Sequence, residues 1–294
     1  MKVIHMIEDY RKLSSKSRNS AETNVFELYK NYTKKYAPLF NSVFNQLYHA
    51  PIEALQKYID ETNFEDLLHK AEENYNNGIC DYIISVAKES AKKMNVNFEF
   101  ELMLGLELGN IGGCSLPLEN NVSYVYIGID RHVTEEIVDI LIPHEMYHMI
   151  RIKSAPPANP ETLLSRAIEE GLASYAPMWI YNMEWSIDNI AEILGVKPQQ
   201  AAFLMENTEQ IIKTIFQEGK EILSPEIMKK YFSIVDPNAE LILPGYYFGL
   251  YLTHKSIQAG TDFNHFASLP AGEIINLWQE VLQNQPSPPL FGGK

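Results

Sequence analysis

The sequence predicts an α+β protein that is predominantly helical. Three observations carry this prediction: apolar residues at helical spacing within residues 20–94, two strand-like segments between residues 98 and 129, and helical patterning again from about residue 134 to about residue 283. The chain has 294 residues, 46% of them hydrophobic, and is long enough to bury a substantial core. We therefore expect one large domain or two closely packed lobes.

Residues 1–94 are predicted to form a helical N-terminal region. Apolar residues recur every three or four positions in four segments, at residues 21–36, 51–58, 64–75 and 79–94. This region shows no motif with a chemical role, so we interpret it as a helical lobe.

A predicted catalytic core, residues 95–181, begins with two strands. Apolar and polar residues alternate over residues 98–104, which predicts a strand with one buried face. The glycines of residues 109–113 predict a loop or tight turn. Residues 124–129 (YVYIGI) are apolar on both faces, which predicts an internal strand.

Two helices are predicted to follow these strands within the core. The first begins near Thr134, a plausible N-cap, and Pro143 predicts a kink or a restart inside it. The proline-rich residues 152–160 predict a loop, and the second helix extends from about residue 161 through 180. Residues 182–284 are predicted to form a helical C-terminal lobe with breaks near Gly195, Pro198, Pro237 and Pro244. Residues 285–294 are expected to be a disordered tail.

The charge and cysteine content exclude several classes of function. The net charge of −14 and the pI of about 5.0 disfavour nucleic-acid binding and docking on an anionic membrane. We find no apolar segment of membrane-spanning length and no signal peptide, so we expect a cytoplasmic protein, although export without a signal peptide stays open. Cys80 and Cys114 lack zinc-knuckle spacing and are expected to stay reduced.

The main chemical motif is His-Glu-Met-Tyr-His at residues 144–148. On a helix, positions i and i+4 share a face, so both His144 and His148 can reach one metal ion. Glu145 is displaced around the helix, where its carboxylate can accept a proton from a water molecule at the metal. The pattern predicts zinc ligation by the two histidines and general-base catalysis by Glu145.

The third zinc ligand is predicted in the second helix of the core. A catalytic zinc site with two histidines needs one more protein ligand, and Glu170 follows His148 at a distance that a helix–loop–helix return can span. Glu170 shares a helical face with Leu163 and Ala167, and small residues at 171, 173 and 174 favour close approach of this helix to the first. Glu169 stays open as an alternative.

These motifs resemble those of a known family. HEMYH followed by EEGLASY (residues 169–175) resembles the gluzincin clan of zinc metallopeptidases, in which a downstream Glu completes the zinc site. Together with PGYYFGLYL (residues 244–252), the two motifs most resemble the YjaZ-like family of zinc-dependent proteases. The resemblance covers about residues 95–285. It implies a zincin-like fold, with a small sheet packed on the HExxH helix and helical regions flanking an active-site cleft.

The resemblance also implies roles for individual residues. It makes His144, His148 and Glu170 the zinc ligands, Glu145 the base, and a Tyr or His of the C-terminal half the group that stabilises the oxyanion. Among Tyr246, Tyr247, Tyr251 and His254 we favour Tyr247, with His254 as the reserve. Residues 106–116 are the expected edge beside which a peptide or protein substrate would lie. The implied activity is that of a zinc metallopeptidase, a hydrolase.

Other interpretations fit the sequence less well. A di-iron carboxylate bundle needs two Glu-x-x-His units, and the chain has only the one at Glu145 and His148. A structural zinc site would need a fourth protein ligand, and no cysteine lies near the motif. A catalytically silent zincin-like scaffold that acts as a binding or regulatory module stays as the alternative, although Glu145 would have no purpose there. The oligomeric state is not predicted.

Overall fold

The computed structural model describes residues 1–17, 24–118 and 120–283. The fold is α+β and predominantly helical, with a small four-stranded sheet, which confirms the predicted class. The chain divides into two compact units, residues 1–153 and 154–294. The domain boundaries expected after residues 94 and 181 stay predictions, and the expected disordered tail lies outside the described residues. None of the described helices is long and apolar enough to cross a membrane.

The first unit contains the sheet and most of the predicted N-terminal helices. Predicted segment 51–58 is divided between a 3₁₀ turn, Ile52–Leu55, and the start of a short α-helix, and a π-helical turn spans Phe44–Tyr48. The predictions for 64–75 and 79–94 are confirmed, as is the part of 21–36 that the structure describes. The α-helices are α1 Ile7–Ser17, α2 Val25–Lys35, α3 Ala37–Val43, α4 Gln56–Glu61, α5 Phe64–Asn76, α6 Ile79–Lys93 and α7 Glu135–Ser154.

The sheet has the strand order β1-β2-β4-β3, with β1 at Lys2–His5, β2 at Glu101–Gly105, β3 at Gly113–Cys114 and β4 at Tyr124–Gly128. Strands β1, β2 and β4 are parallel, and β3 pairs with β4 in the antiparallel sense. The predicted internal strand is therefore confirmed as β4. Strand β1 was not predicted, because its four residues are too few to show alternation.

The prediction for the first strand was wrong about its faces. Residues 102–105 are all buried, whereas the alternation predicted that only one face would be. The reason is that β2 lies in the interior of the sheet between two parallel neighbours, and parallel strands are usually covered on both faces. The predicted alternation began at residue 98, but residues 98–100 lie before the strand. That alternation therefore did not reflect the two faces of β2.

Helix α7 carries the HEMYH motif. The predicted N-cap is confirmed, since the Thr134 hydroxyl oxygen accepts a hydrogen bond from the backbone N–H of Ile137 at 3.4 Å. A kink or a restart was expected at Pro143, and the restart does not occur, because α7 is one helix from Glu135 to Ser154. A proline inside a helix costs about 3 kcal/mol, and the burial of Ile142, Pro143 and Met146 offsets part of that cost.

The second unit is helical. Thr162 caps α8 through a reciprocal pair of hydrogen bonds with Ser165, which confirms the helix expected from about residue 161. The expected breaks are also found, since Gly195 ends α9 at a φ of 63° and prolines occupy the first positions of α10 and α13. The helices are α8 Leu163–Tyr181, α9 Ile187–Leu194, α10 Pro198–Glu206, α11 Thr208–Glu218, α12 Pro225–Tyr231, α13 Pro244–Gln258 and α14 Ala271–Gln283, with a 3₁₀ segment at Phe263–Ser268.

Candidate metal centre

The two histidines of the motif lie one helical turn apart on α7 and face the same way. Their Nε2 atoms are 3.0 Å apart, and their ring centroids are separated by 4.7 Å with the rings at 77° to each other. Both side chains are half-buried, so they are shielded without being enclosed. The i, i+4 spacing therefore brings the two imidazole nitrogens together as the sequence predicted.

Glu145 lies between the histidines in sequence but is more deeply buried, with 7% of its surface exposed. Strand β3 lies against this side chain. A β-carbon added to Gly113 would be 2.9 Å from Cγ of Glu145, and 3.2 Å from Cδ1 of both Ile127 and Leu141. Because glycine has no side chain, the edge strand can approach α7 closely enough to confine Glu145.

Glu170 is on α8 and is 3% exposed. Its carboxylate oxygen Oε1 forms an ion pair with Nη2 of Arg166 at 2.8 Å, one helical turn earlier. A buried carboxylate needs such a counter-charge, because desolvation without a partner is costly. Glu169, the alternative ligand, is only half-buried.

Three of the predicted ligands come together as a group that could hold a metal ion. His144, His148 and Glu170 each offer one ligand atom, and these atoms all lie within 4.8 Å of one another. Glu169 does not belong to this group. Two imidazole nitrogens and one carboxylate oxygen suit zinc, and the same donors also suit other first-row transition metals. The arrangement thus supports metal binding, and the choice of zinc rests on the motif.

Tyr247, the predicted oxyanion group, is on α13 and is 1% exposed. Its hydroxyl oxygen lies 2.6 Å from Oγ1 of Thr208, so the two hydroxyls share a hydrogen bond. Burial raises the pKa of Tyr247 to about 12, and the hydroxyl therefore keeps its proton near neutral pH. A tyrosine hydroxyl can accept one hydrogen bond and donate another, so the bond to Thr208 is compatible with a donor role.

His254, the reserve for this role, lies in an aromatic cluster of the second unit. Its ring stacks on Trp185 with centroids 4.4 Å apart and an interplanar angle of 19°. Burial, and to a lesser extent the charge of Lys255, lowers the pKa of His254 to about 4. The imidazole is consequently neutral at physiological pH, and its Nδ1 atom is buried without a hydrogen-bond partner.

The loop that precedes β3 is held by two buried carboxyl groups, Glu107 and Asp130. Oε2 of Glu107 accepts hydrogen bonds from the backbone N–H groups of Asn110 and Ile111, at 3.2 and 2.8 Å. Oδ2 of Asp130 accepts from the N–H groups of Glu107 and Gly109, at 2.8 and 3.1 Å. Burial raises the pKa of both carboxyls. The expected substrate edge at residues 106–116 thus contains an edge strand, β3, and a tightly hydrogen-bonded turn.

Four of the residues described above were not predicted from the sequence, namely Arg166, Thr208, Glu107 and Asp130. A signal was available for Arg166, because an Arg four residues before a Glu on a helix places the two side chains side by side. A weaker signal was available for Glu107 and Asp130, since each comes two residues after a buried strand. Thr208 had none, because its partner on α13 is distant in sequence.

Comparisons with protein-family models, curated proteins and solved structures found no match for this chain.

Proposed function

We propose that this protein is a zinc-dependent peptidase with a zincin-like catalytic core. The observation that carries the proposal is the group formed by His144, His148 and Glu170, with Glu145 placed between the two histidines. This donor set has three protein ligands, which is the number that catalytic zinc sites use, leaving a fourth position for water or substrate. A structural site would use four.

Zinc bound by these residues would act as a Lewis acid that polarises the peptide carbonyl and lowers the pKa of a water molecule. Glu145 would accept the proton of that water as the oxygen attacks the carbonyl carbon, and would later pass the proton to the leaving amine. Burial of Glu145 and its contact with Gly113 restrict the positions that its carboxylate can take. Tyr247 is the proposed donor to the developing oxyanion.

Metal content and peptide hydrolysis test the proposal together. Purified protein should contain about one zinc per chain, and His144→Ala, His148→Ala and Glu170→Gln should each lose it. Glu169→Gln, at the neighbouring residue, is the matched control and should retain zinc. A well-folded wild-type protein without affinity for zinc would exclude the proposal.

The alternative of a catalytically silent scaffold is distinguished by Glu145→Gln. The amide is nearly isosteric and Glu145 is not a proposed ligand, so zinc should stay bound. Hydrolysis of a broad peptide library at near-neutral pH should fall by at least about 10²–10⁴-fold, because an amide cannot accept the proton. Glu136→Gln, at the exposed start of the same helix, should change neither property. Equal hydrolysis by wild type and Glu145→Gln would contradict the mechanism.

A further inference from the structure

Arg166 forms an ion pair with Glu170, one of the three proposed metal ligands. The two residues are four positions apart on α8, and Nη2 of Arg166 lies 2.8 Å from Oε1 of Glu170. Glu170 is almost fully buried, whereas the Arg166 side chain keeps 30% of its surface exposed. The Nη2 atom of Arg166 is therefore held by the buried carboxylate, while other parts of the side chain reach solvent.

The Arg166 side chain is oriented toward Glu170 rather than toward Glu161. Its Nη1 atom is 3.5 Å from Oε1 of Glu161, a longer and more exposed pair. Its Nε atom is buried without a hydrogen-bond partner, so the side chain forgoes one hydrogen bond in this position. An arginine guanidinium stays protonated in proteins. The guanidinium is a permanent positive charge beside the carboxylate.

We propose that Arg166 is a positioning residue that limits Glu170 to metal ligation through one oxygen. The proposal rests on the proposed metal site. While Arg166 holds Oε1, ligation by Oε2 leaves the ion pair intact, whereas ligation by both oxygens would require Oε1 to serve the arginine and the metal at once. One-oxygen ligation keeps the coordination number low, which preserves the open position that a catalytic zinc site needs.

Loss of Arg166 should also weaken the affinity of the site for metal. Groups that hydrogen-bond a ligating carboxylate fix its orientation, and their loss typically weakens metal binding by about 10–100-fold. Arg166→Met removes the charge and the hydrogen bond but keeps much of the aliphatic stem. It should weaken zinc binding by about that factor. Arg166→Lys keeps the charge without the planar guanidinium and should lose less affinity.

The test measures Zn²⁺ affinity of the metal-free full chain by competition with a chromophoric chelator, and the absorption spectrum of the Co²⁺-loaded protein. Four-coordinate Co²⁺ absorbs visible light more strongly than Co²⁺ of higher coordination number. We expect weaker Zn²⁺ binding and a weaker Co²⁺ band in Arg166→Met, with partial recovery of both in Arg166→Lys. Lys230→Met, which breaks the 2.7 Å pair with Glu218 in the same unit, should change neither.

The possible failures are distinguishable. A folded Arg166→Met protein with unchanged or tighter Zn²⁺ binding would overturn the positioning role and leave the proposed function standing. An unchanged Co²⁺ band with weaker binding would overturn the claim of one-oxygen ligation. If Arg166→Met does not fold, Arg166→Lys decides, because an affinity and a spectrum equal to those of the wild type would overturn the role of the guanidinium. A wild-type protein that binds no Zn²⁺ would overturn both proposals.

Discussion

Gly171 of α8 and Gly249 of α13 meet backbone to backbone. A β-carbon added to Gly171 would lie 2.2 Å from both Cα and the carbonyl carbon of Gly249. A β-carbon added to Gly249 would lie 2.0 Å from the carbonyl oxygen of Ala167. The separation of these two helices is thus set by the absence of side chains at both positions. Since Glu170 directly precedes Gly171, the same contact fixes the turn of α8 that carries the proposed ligand.

The first prediction is that Gly171→Ala destabilises the protein. Alanine gains about 0.5–1 kcal/mol over glycine from its preference for helix, but overpacking a close contact costs about 1–3 kcal/mol and occasionally more. The new methyl group would meet backbone, which cannot move aside as a side chain can. We therefore expect a net loss in the free energy of unfolding, measured by urea denaturation.

Gly272→Ala in α14 is the matched control for Gly171→Ala. Gly272 is exposed, and a β-carbon added there would have no atom within 4 Å. The helical gain should then stand alone, and stability should rise by about 0.5–1 kcal/mol. If Gly171→Ala is as stable as Gly272→Ala, the helix separation does not depend on the absent side chain.

The close approach at residue 171 shows what the sequence could and could not predict. Small residues in EEGLASY predicted that α8 would approach another helix closely, and the prediction named the HEMYH helix as the partner. The nearest atoms to a β-carbon at Gly171 belong to α13, while the approach to the HEMYH helix stays a prediction. A stripe of small residues indicates a close contact but carries no information about its partner, because that depends on chain segments far apart in sequence.

The histidine pair was predictable from the sequence and the burial of the strands was not, because the first depends on local spacing and the second on distant segments. The spacing of His144 and His148 is local to one helix, so helical geometry alone brought them together. The burial of β2 depends on β1, about a hundred residues earlier in the chain, so alternation within β2 could not predict it. The buried pair Glu107 and Asp130 likewise forms only when two parallel strands end side by side.

The second prediction concerns stability as a function of pH. Burial raises the pKa of Glu107 in the folded protein, so the folded state binds more protons than the unfolded state once the pH exceeds the unfolded value of about 4.3. The resulting stability is fully present below that value and is lost as the pH rises through the folded-state pKa. Asp130 contributes with the same sign. Glu107→Gln should therefore flatten the fall in unfolding free energy above about pH 4.3.

The amide of Glu107→Gln can keep the local hydrogen bonds. Its oxygen can accept from the N–H groups of Asn110 and Ile111, and its NH₂ group can donate to the hydroxyl of Tyr48, the present partner of Oε1. Glu99→Gln, at an exposed carboxyl, is the control and should leave the pH dependence unaltered. Urea denaturation at a series of pH values measures both. Parallel pH profiles for wild type and Glu107→Gln would contradict the prediction.

The third prediction is that Gly113→Ala lowers catalysis without removing zinc. The new methyl group would lie 2.9 Å from Cγ of Glu145 and would displace that side chain. A misplacement of about 1 Å can cost about 10²-fold in rate, and we expect kcat to fall by that order. Gly112→Ala is the control, because its methyl group would meet mainly the flexible end of Arg131, at 3.0 Å from Nη1. A loss of zinc in Gly113→Ala would show that its effect extends beyond Glu145.

The last prediction tests whether the hydroxyl of Tyr247 acts in catalysis or only in structure. If it donates to the oxyanion, Tyr247→Phe should lower kcat by about 10²–10³-fold while zinc content is unchanged. Thr208→Val should have a smaller effect, since the hydrogen bond to Thr208 would only orient the hydroxyl. Tyr251→Phe is the matched control, because its ring stacks on Tyr247 one turn away and has no assigned role in the reaction. A Tyr247→Phe protein that loses about 0.5–1.5 kcal/mol of stability but keeps its kcat would make the bond to Thr208 purely structural. The oxyanion donor would then have to be sought elsewhere, with His254 the first residue to replace.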